Sequence, residues 1–328
     1  MPTFLTTPKM APALAARVED SVRGRRPGGA KPTRARVTVH LVTLVRFGVP
    51  LAIAALVATV VHFVREDRAE LERARASLIS AVQTESATLT PADLGKVTLV
   101  ESWVAKLAGR YDGDVVADDV RAPGGLDAVL GRPSLYVRGP IASFNTTLGI
   151  AEAASSSSKD AFARCLVDPP ASRTEKVVLT KVLTVHPGAD GLAGHVHRLD
   201  DAEAILPLLR PTWAESVRFA PDVESVGRLR RQLDKTPFER GVLALKSNVL
   251  VVVVDEASQG GPTELDGEGP HDVRIGVVDL AAAKVLLRMR KHVDPAWVSQ
   301  AKRPMYAGAL DGCVLAMDVR DAVAGKAK

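Results

Sequence analysis

Ser156-Ser157-Ser158-Lys159 matches the spacing S-x-x-K, in which a serine and a lysine one helical turn apart can pass a proton between them. That arrangement supports acyl transfer, so Ser156 and Lys159 are the candidate catalytic pair. Four consecutive serines make the match easy to reach by chance, and Lys235-Thr236-Pro237 puts a proline where the companion K-T-G motif needs a hydrogen-bonding strand. His195-Val196-His197 would place two imidazoles on one face of an extended segment, with His186, Asp200 and Asp201 nearby in sequence. Such nitrogens suit zinc, so His186, His195 and His197 are the candidate metal ligands, although no spacing indicates a distant further ligand. The carboxylates Asp112, Asp114, Asp118 and Asp119, and Glu264, Asp266, Glu268 and Asp272, offer oxygen donors for calcium. Neither set has EF-hand spacing, and a solvated acidic loop explains both. There is no G-x-S-x-G, Walker A or dinucleotide glycine fingerprint, and no cofactor is expected. Asn145-Thr146-Thr147 is a formal glycosylation sequon.

The chain that must position these residues is 328 long, with 46% apolar, 25% charged and only 4% aromatic residues, so its core is aliphatic. Its net charge of +5 is uneven. Residues 1–46 hold nine basic residues against two acidic ones, which leaves residues 47–328 at −2. A near-neutral domain with few stacking aromatics gives no reason to expect a nucleic-acid partner.

Phe47–Val64, FGVPLAIAALVATVVHFV, runs 18 residues without an ionised side chain. As a helix it reaches roughly 27 Å, the hydrocarbon thickness of a bilayer. A cleaved signal peptide fits poorly, because the run lies far along the chain and ends in His62-Phe63-Val64-Arg65; the first cysteine is Cys165, too distant for a lipid anchor. The expected partner of Phe47 to Val64 is therefore the lipid bilayer. The basic excess upstream orients it with the N-terminus cytoplasmic, at the plasma (inner) membrane, and the domain extracytoplasmic.

The expected organisation is a disordered basic arm at 1–36, a transmembrane helix with its lead-in at 37–64 and a helical stalk at 65–89. A soluble α/β or α+β domain at 90–322 and a disordered tail at 323–328 complete it. Leu71, Ala74, Leu78 and Ala81 give the stalk an apolar stripe, which would pack back on its own domain. Thr90-Pro91 opens a helix with Leu94, Val97, Val100, Val104 and Leu107 on one face. Val115-Val116 and Ser134–Arg138 read as short strands, and Ala161–Val167 as a buried strand. Ser172–Glu175 reads as a capping box before Val178, Leu179, Val182 and Leu183. Further helices are expected at Asp200–Leu209, at Pro211–Phe219 and after Asp222.

Asn248–Val254, apolar on both faces, reads as a central strand, and Gly260–Pro270 as an acidic loop. Alternation of Val273, Ile275 and Val277, then Val285, Leu287 and Met289, gives a C-terminal β-hairpin with Arg288 and Arg290 facing out. A helix near Gln300–Val319 would cover it. The two cysteines, Cys165 and Cys313, are candidates for a disulfide in an oxidising compartment and core thiols in a reducing one.

RPSLYVRGP (132–140), KDAFARCLVDPPASRTEK (159–176) and GPTELDGEGPHDVRIGVVDLAAAKVLL (261–287) resemble segments of an uncharacterised single-pass membrane protein family of GC-rich bacteria. The resemblance implies a bacterial membrane setting and carries no activity or functional residues. The functional expectation is a membrane-anchored extracytoplasmic module that binds or scaffolds an envelope protein partner. The alternative is an envelope hydrolase or metal-dependent enzyme using the residues above.

Overall fold

A computed structural model describes residues 49–157, 160–185, 195–256, 270–294, 299 and 309–326. The basic arm, Lys159, His186 and most of the 260–270 loop, including Glu264, Asp266 and Glu268, lie outside the described residues. The chain divides into two compact units, Met1–Asp67 and Arg68–Lys328.

The first unit contributes the start of a 38-residue helix, Val49–Ser86. Every residue from Val49 to Glu70 is exposed, including Leu51, Ile53, Leu56 and Phe63. Exposed aliphatic side chains on all sides of a helix are costly in water. This helix is long and apolar enough to cross a membrane.

From Arg68 onward the same helix belongs to the second unit. Leu78 and Val82 are buried, and Leu71, Ala74 and Ala81 pack against the core beside them. The expected stalk stripe is thus a core face. A capping box closes the next turn: Thr90 Oγ1 accepts from the Asp93 backbone N–H while the Asp93 carboxylate accepts from Thr90 N–H. The expected helix after Thr90 is interrupted at Gly95, giving Pro91–Leu94 and Lys96–Ala108, and Leu94 leaves the stripe for solvent.

The second unit is a mixed α/β domain around one six-stranded sheet. Its strands are β1 (Val115–Val116), β2 (Ser134–Pro140), β3 (Val196–Arg198), β4 (Val249–Asp255), β5 (His271–Asp279) and β6 (Lys284–Val293). Their order is β1-β6-β5-β4-β2-β3. β3, β2 and β4 run parallel, and β5, β6 and β1 continue antiparallel. Helices cover both faces, so the β4 residues Val249, Val251 and Val253 enter one cluster while Leu250, Val252 and Val254 enter the other. This two-sided burial is why the segment is uniformly apolar.

The C-terminal hairpin β5–β6 is present, and a bulge after Val277 shifts its register. Its burial is two-sided: Val273, Ile275, Val277, Leu287 and Met289 join one cluster, Val278 and Val285 the other. The final helix, Ala309–Val323, packs over β6 and over the Phe162–Val167 helix.

Two expectations fail locally. Ala161–Val167 is no strand; Phe162–Val167 is a helix whose Phe162, Ala163, Cys165 and Leu166 are all buried. A short segment buried on every side loses the period that separates helix from strand. The helix expected from Ser172 begins only at Glu175, so Glu175 cannot be the N3 residue of a box capped by Ser172. Leu183 of that helix is exposed.

Candidate functional site

In sheets with parallel strands, ligands bind beyond the carboxyl ends of those strands. Here that place holds charge. Tyr136 and Arg138 flank the midpoint of β2, Asp255 ends β4, and His271 opens β5. All four project to the same face as Val251 and Val253, because alternate residues of a strand share a face and the register aligns Pro140 with Asp255 and Asp255 with Val273. Asp160, just before the Phe162–Val167 helix, completes the group.

Arg138 lies at the centre. Its Nη2 is 2.8 Å from Asp255 Oδ1 and its Nε 3.0 Å from Asp255 Oδ2, a two-pronged contact. Its Nη1 donates to Asp160 Oδ1 at 3.1 Å. The Tyr136 hydroxyl donates to the other Asp160 oxygen, and His271 Nε2 is 3.5 Å from Asp255 Oδ1. Asp160 Oδ1 also accepts from the Phe162 backbone N–H at 3.2 Å. Ser157 Oγ accepts from the Arg138 N–H at 2.7 Å, tying the adjacent helix end to the strand. Arg138 is 4% exposed, Asp255 3% and His271 2%.

Burial alone would raise the pKa of Asp255, but Arg138 and His271 outweigh it and hold the carboxyl below its ordinary value. Burial, reinforced by the Asp160 charge, pushes the Tyr136 phenol well up, so it remains a donor. The C-terminal helix closes over this group at Gly312, where an added Cβ would fall against the Asp160 carboxylate and 2.9 Å from Phe162 N. Next along that helix, Cys313 is joined to Cys165 by a disulfide with Cα atoms 5.0 Å apart, and both residues are fully buried.

A second charged group occupies the opposite face. Arg274 and Arg290 face each other across β5 and β6, a repulsive placement for like charges. Glu256, 6% exposed, binds both guanidinium groups, one on each carboxylate oxygen. Arg274, Arg288 and Arg290 also surround the Tyr111 ring at 5.5, 5.8 and 5.5 Å from its centroid. Arg288 donates to the Gly113 carbonyl at 2.9 Å and Asp114 accepts from the Arg290 backbone N–H at 3.1 Å. Of the two arginines expected to face out, Arg290 is exposed and Arg288 is half-buried against Tyr111 and Gly113. Asp112 and Asp114 are partners of these arginines rather than an open acidic loop.

The residues with candidate chemistry lie elsewhere. Ser156 is exposed and donates to the Ala153 carbonyl at 2.9 Å. His195 and His197 flank Val196 on the edge strand β3, and burial together with the His195 charge lowers the pKa of His197. Asp200 is paired with Arg198. Among the described residues no three metal-ligating side chains gather. Thr146 of the sequon caps the Thr147–Ser156 helix through its side chain.

The arrangement can lock strand ends and helices together. Arg138, Asp160, Asp255 and His271 carry no sequence signature as a group, because no motif links residues as distant as Arg138 and Asp255, 117 positions apart. A signal did exist: Arg138 and Asp255 are each the one charged residue of their strand, in its carboxyl half. No family model, no curated protein and no solved structure matches this chain.

Proposed function

We propose that this is a single-pass protein of a bacterial plasma membrane. Its domain lies on the extracytoplasmic side, where it binds or scaffolds another envelope component. One observation carries the reading: the Val49–Ser86 helix is exposed and aliphatic over its first turns and built into a domain core over its last. A bilayer removes the cost of the first part. The basic excess of residues 1–46 favours a cytoplasmic N-terminus, and the Cys165–Cys313 disulfide suits an oxidising compartment.

A binding role is favoured over turnover by the state of the charges at the strand ends. Arg138, Asp160, Asp255 and His271 are engaged with one another in the interior. The test uses the full chain in detergent: metal analysis together with fluorophosphonate and penicillin labels. Binding without turnover predicts substoichiometric metal and no covalent adduct. One zinc per chain, or a label on Ser156, would replace this reading with an envelope enzyme.

A further inference from the structure

We propose that the outer edge of β6 is a docking site for an extended peptide that carries an aromatic residue followed by carboxylates. The chain's own residues 110–116 fill this site until such a peptide displaces them. The proposal rests on the binding reading above and names the chemistry of the partner.

β6 carries Lys284, Arg288, Arg290, Lys291 and His292 and no acidic residue. A basic edge of this kind rejects a second copy of itself and accepts an acidic strand. β1 covers little of it: Val115 lies opposite Arg288 and Val116 opposite Leu287, and the Ala117 N–H donates to the Leu286 carbonyl at 2.9 Å. The next rung is made by a side chain, with Asp114 Oδ1 accepting from the Arg290 N–H at 3.1 Å. Just before it Gly113, at φ 93°, takes the chain out of extended geometry. The alternation of an antiparallel pair turns the His292 N–H and carbonyl to the same side, and no strand among the described residues reaches them. A peptide that stays extended therefore makes rungs that the chain's own segment does not.

The same segment shows what the edge recognises. The Tyr111 ring has the guanidinium groups of Arg274, Arg288 and Arg290 at 5.5, 5.8 and 5.5 Å from its centroid. Glu256 offsets one of these three charges, and Asp112 and Asp114 offset the other two; Arg288 Nη1 is 3.4 Å from Asp112 Oδ2. At the margin, Asp272 is 4.0 Å from Arg290 and 2.8 Å from His292, and the exposed Arg110 is 3.8 Å from Asp112. None of residues 109–119 is buried, so the segment is held by this surface chemistry and not by the core. Exposed ion pairs are individually weak, which suits a segment that a competitor replaces.

The test uses the full chain in detergent and a fluorescein-labelled synthetic peptide with the sequence of residues 110–117, RYDGDVVA. Opening the site with Tyr111→Ala and Asp114→Ala together should tighten peptide binding on the order of tenfold or more, because the competing segment no longer holds the edge. Adding Arg288→Gln should reverse the gain, and a peptide with alanine in place of its tyrosine and aspartates should not bind. In the parent, saturating peptide should quicken hydrogen exchange in residues 109–116 and leave residues 284–293 protected, a readout that does not depend on how the variants fold. Unchanged exchange in the parent would overturn the proposal, as would an opened variant that keeps its melting transition and gains no affinity. Such a failure strikes this partner class alone, because metal analysis and covalent labelling decide binding against turnover independently.

Discussion

Arg138 and Asp255 sit on the same face of adjacent parallel strands, two registers apart, and meet in a two-pronged ion pair at the strands' carboxyl ends. The pair fills the position at which such sheets commonly hold a ligand. Its energetic meaning is asymmetric. A buried ion pair adds little net stability, but removing one partner leaves an uncompensated buried charge. Arg138→Leu removes the cation paired with both Asp255 and Asp160, leaving Asp255 with His271 and Asp160 with the Tyr136 hydroxyl and Phe162 N–H, and should cost about 3–5 kcal/mol in denaturant unfolding. A loss below about 1 kcal/mol would mean that the carboxylates are hydrated or protonated instead.

The same pair sets an acid limit. Burial raises the Asp255 carboxyl, but Arg138 and His271 more than offset this, so its folded pKa lies below the ordinary 3.8. A depressed carboxyl contributes stability present above 3.8 and lost as the pH falls through the folded value. Unfolding midpoints recorded between pH 5 and 2 should therefore drop steeply near the acid end. In Asp255→Asn the profile should be flatter there and lower at neutral pH. A variant profile parallel to the parent's would count against this assignment.

Cys165 and Cys313 are separated by 148 residues, so their bond closes a long loop of the unfolded chain. The chain-entropy relation puts the stabilisation at about 5 kcal/mol, comparable with the whole stability of many domains. Protein denatured without reductant should show no free thiol, and reduction should lower the melting temperature by many degrees. Two titratable thiols per chain would refute the pairing in the native host.

The boundary of the domain can be tested by truncation. A chain starting at Arg68 keeps Leu71, Ala74, Leu78 and Val82 and should fold as a soluble protein. A chain starting at Ala87 loses Leu78, which is fully buried, and the side chains around it. The resulting void exposes apolar surface on the sheet-covering layer, at several kcal/mol for the larger side chains. Circular dichroism and size exclusion should show the second truncation unfolded or aggregated. Equal stability of the two would place the stalk outside the core.

The legible parts of this fold are those in which one residue pattern has one structural solution. Val273, Ile275 and Val277 alternate, and Asn248–Val254 is apolar throughout, so the hairpin and the central strand follow from side-chain period. Asp222 accepting from the Ser225 N–H is likewise a local cap that sequence can foresee. Phe162–Val167 carries no period, because the Ala309–Val323 helix buries it from the side that would otherwise be polar. The charged cluster was hidden for a different reason: Arg138, Asp160 and Asp255 become neighbours only through a parallel crossover, and topology is not written in spacing. Ser156 and His195, selected for their local pattern, are brought to no shared site among the described residues.

The central claim concerns which side of a membrane the domain occupies. Alkaline phosphatase, which folds only in an oxidising compartment, can be fused after Thr90 in a bacterial host, beside a parallel fusion to a reporter active only in the cytosol. The account predicts an active phosphatase in the membrane fraction and a silent cytosolic reporter. A silent phosphatase with an active cytosolic reporter would contradict it.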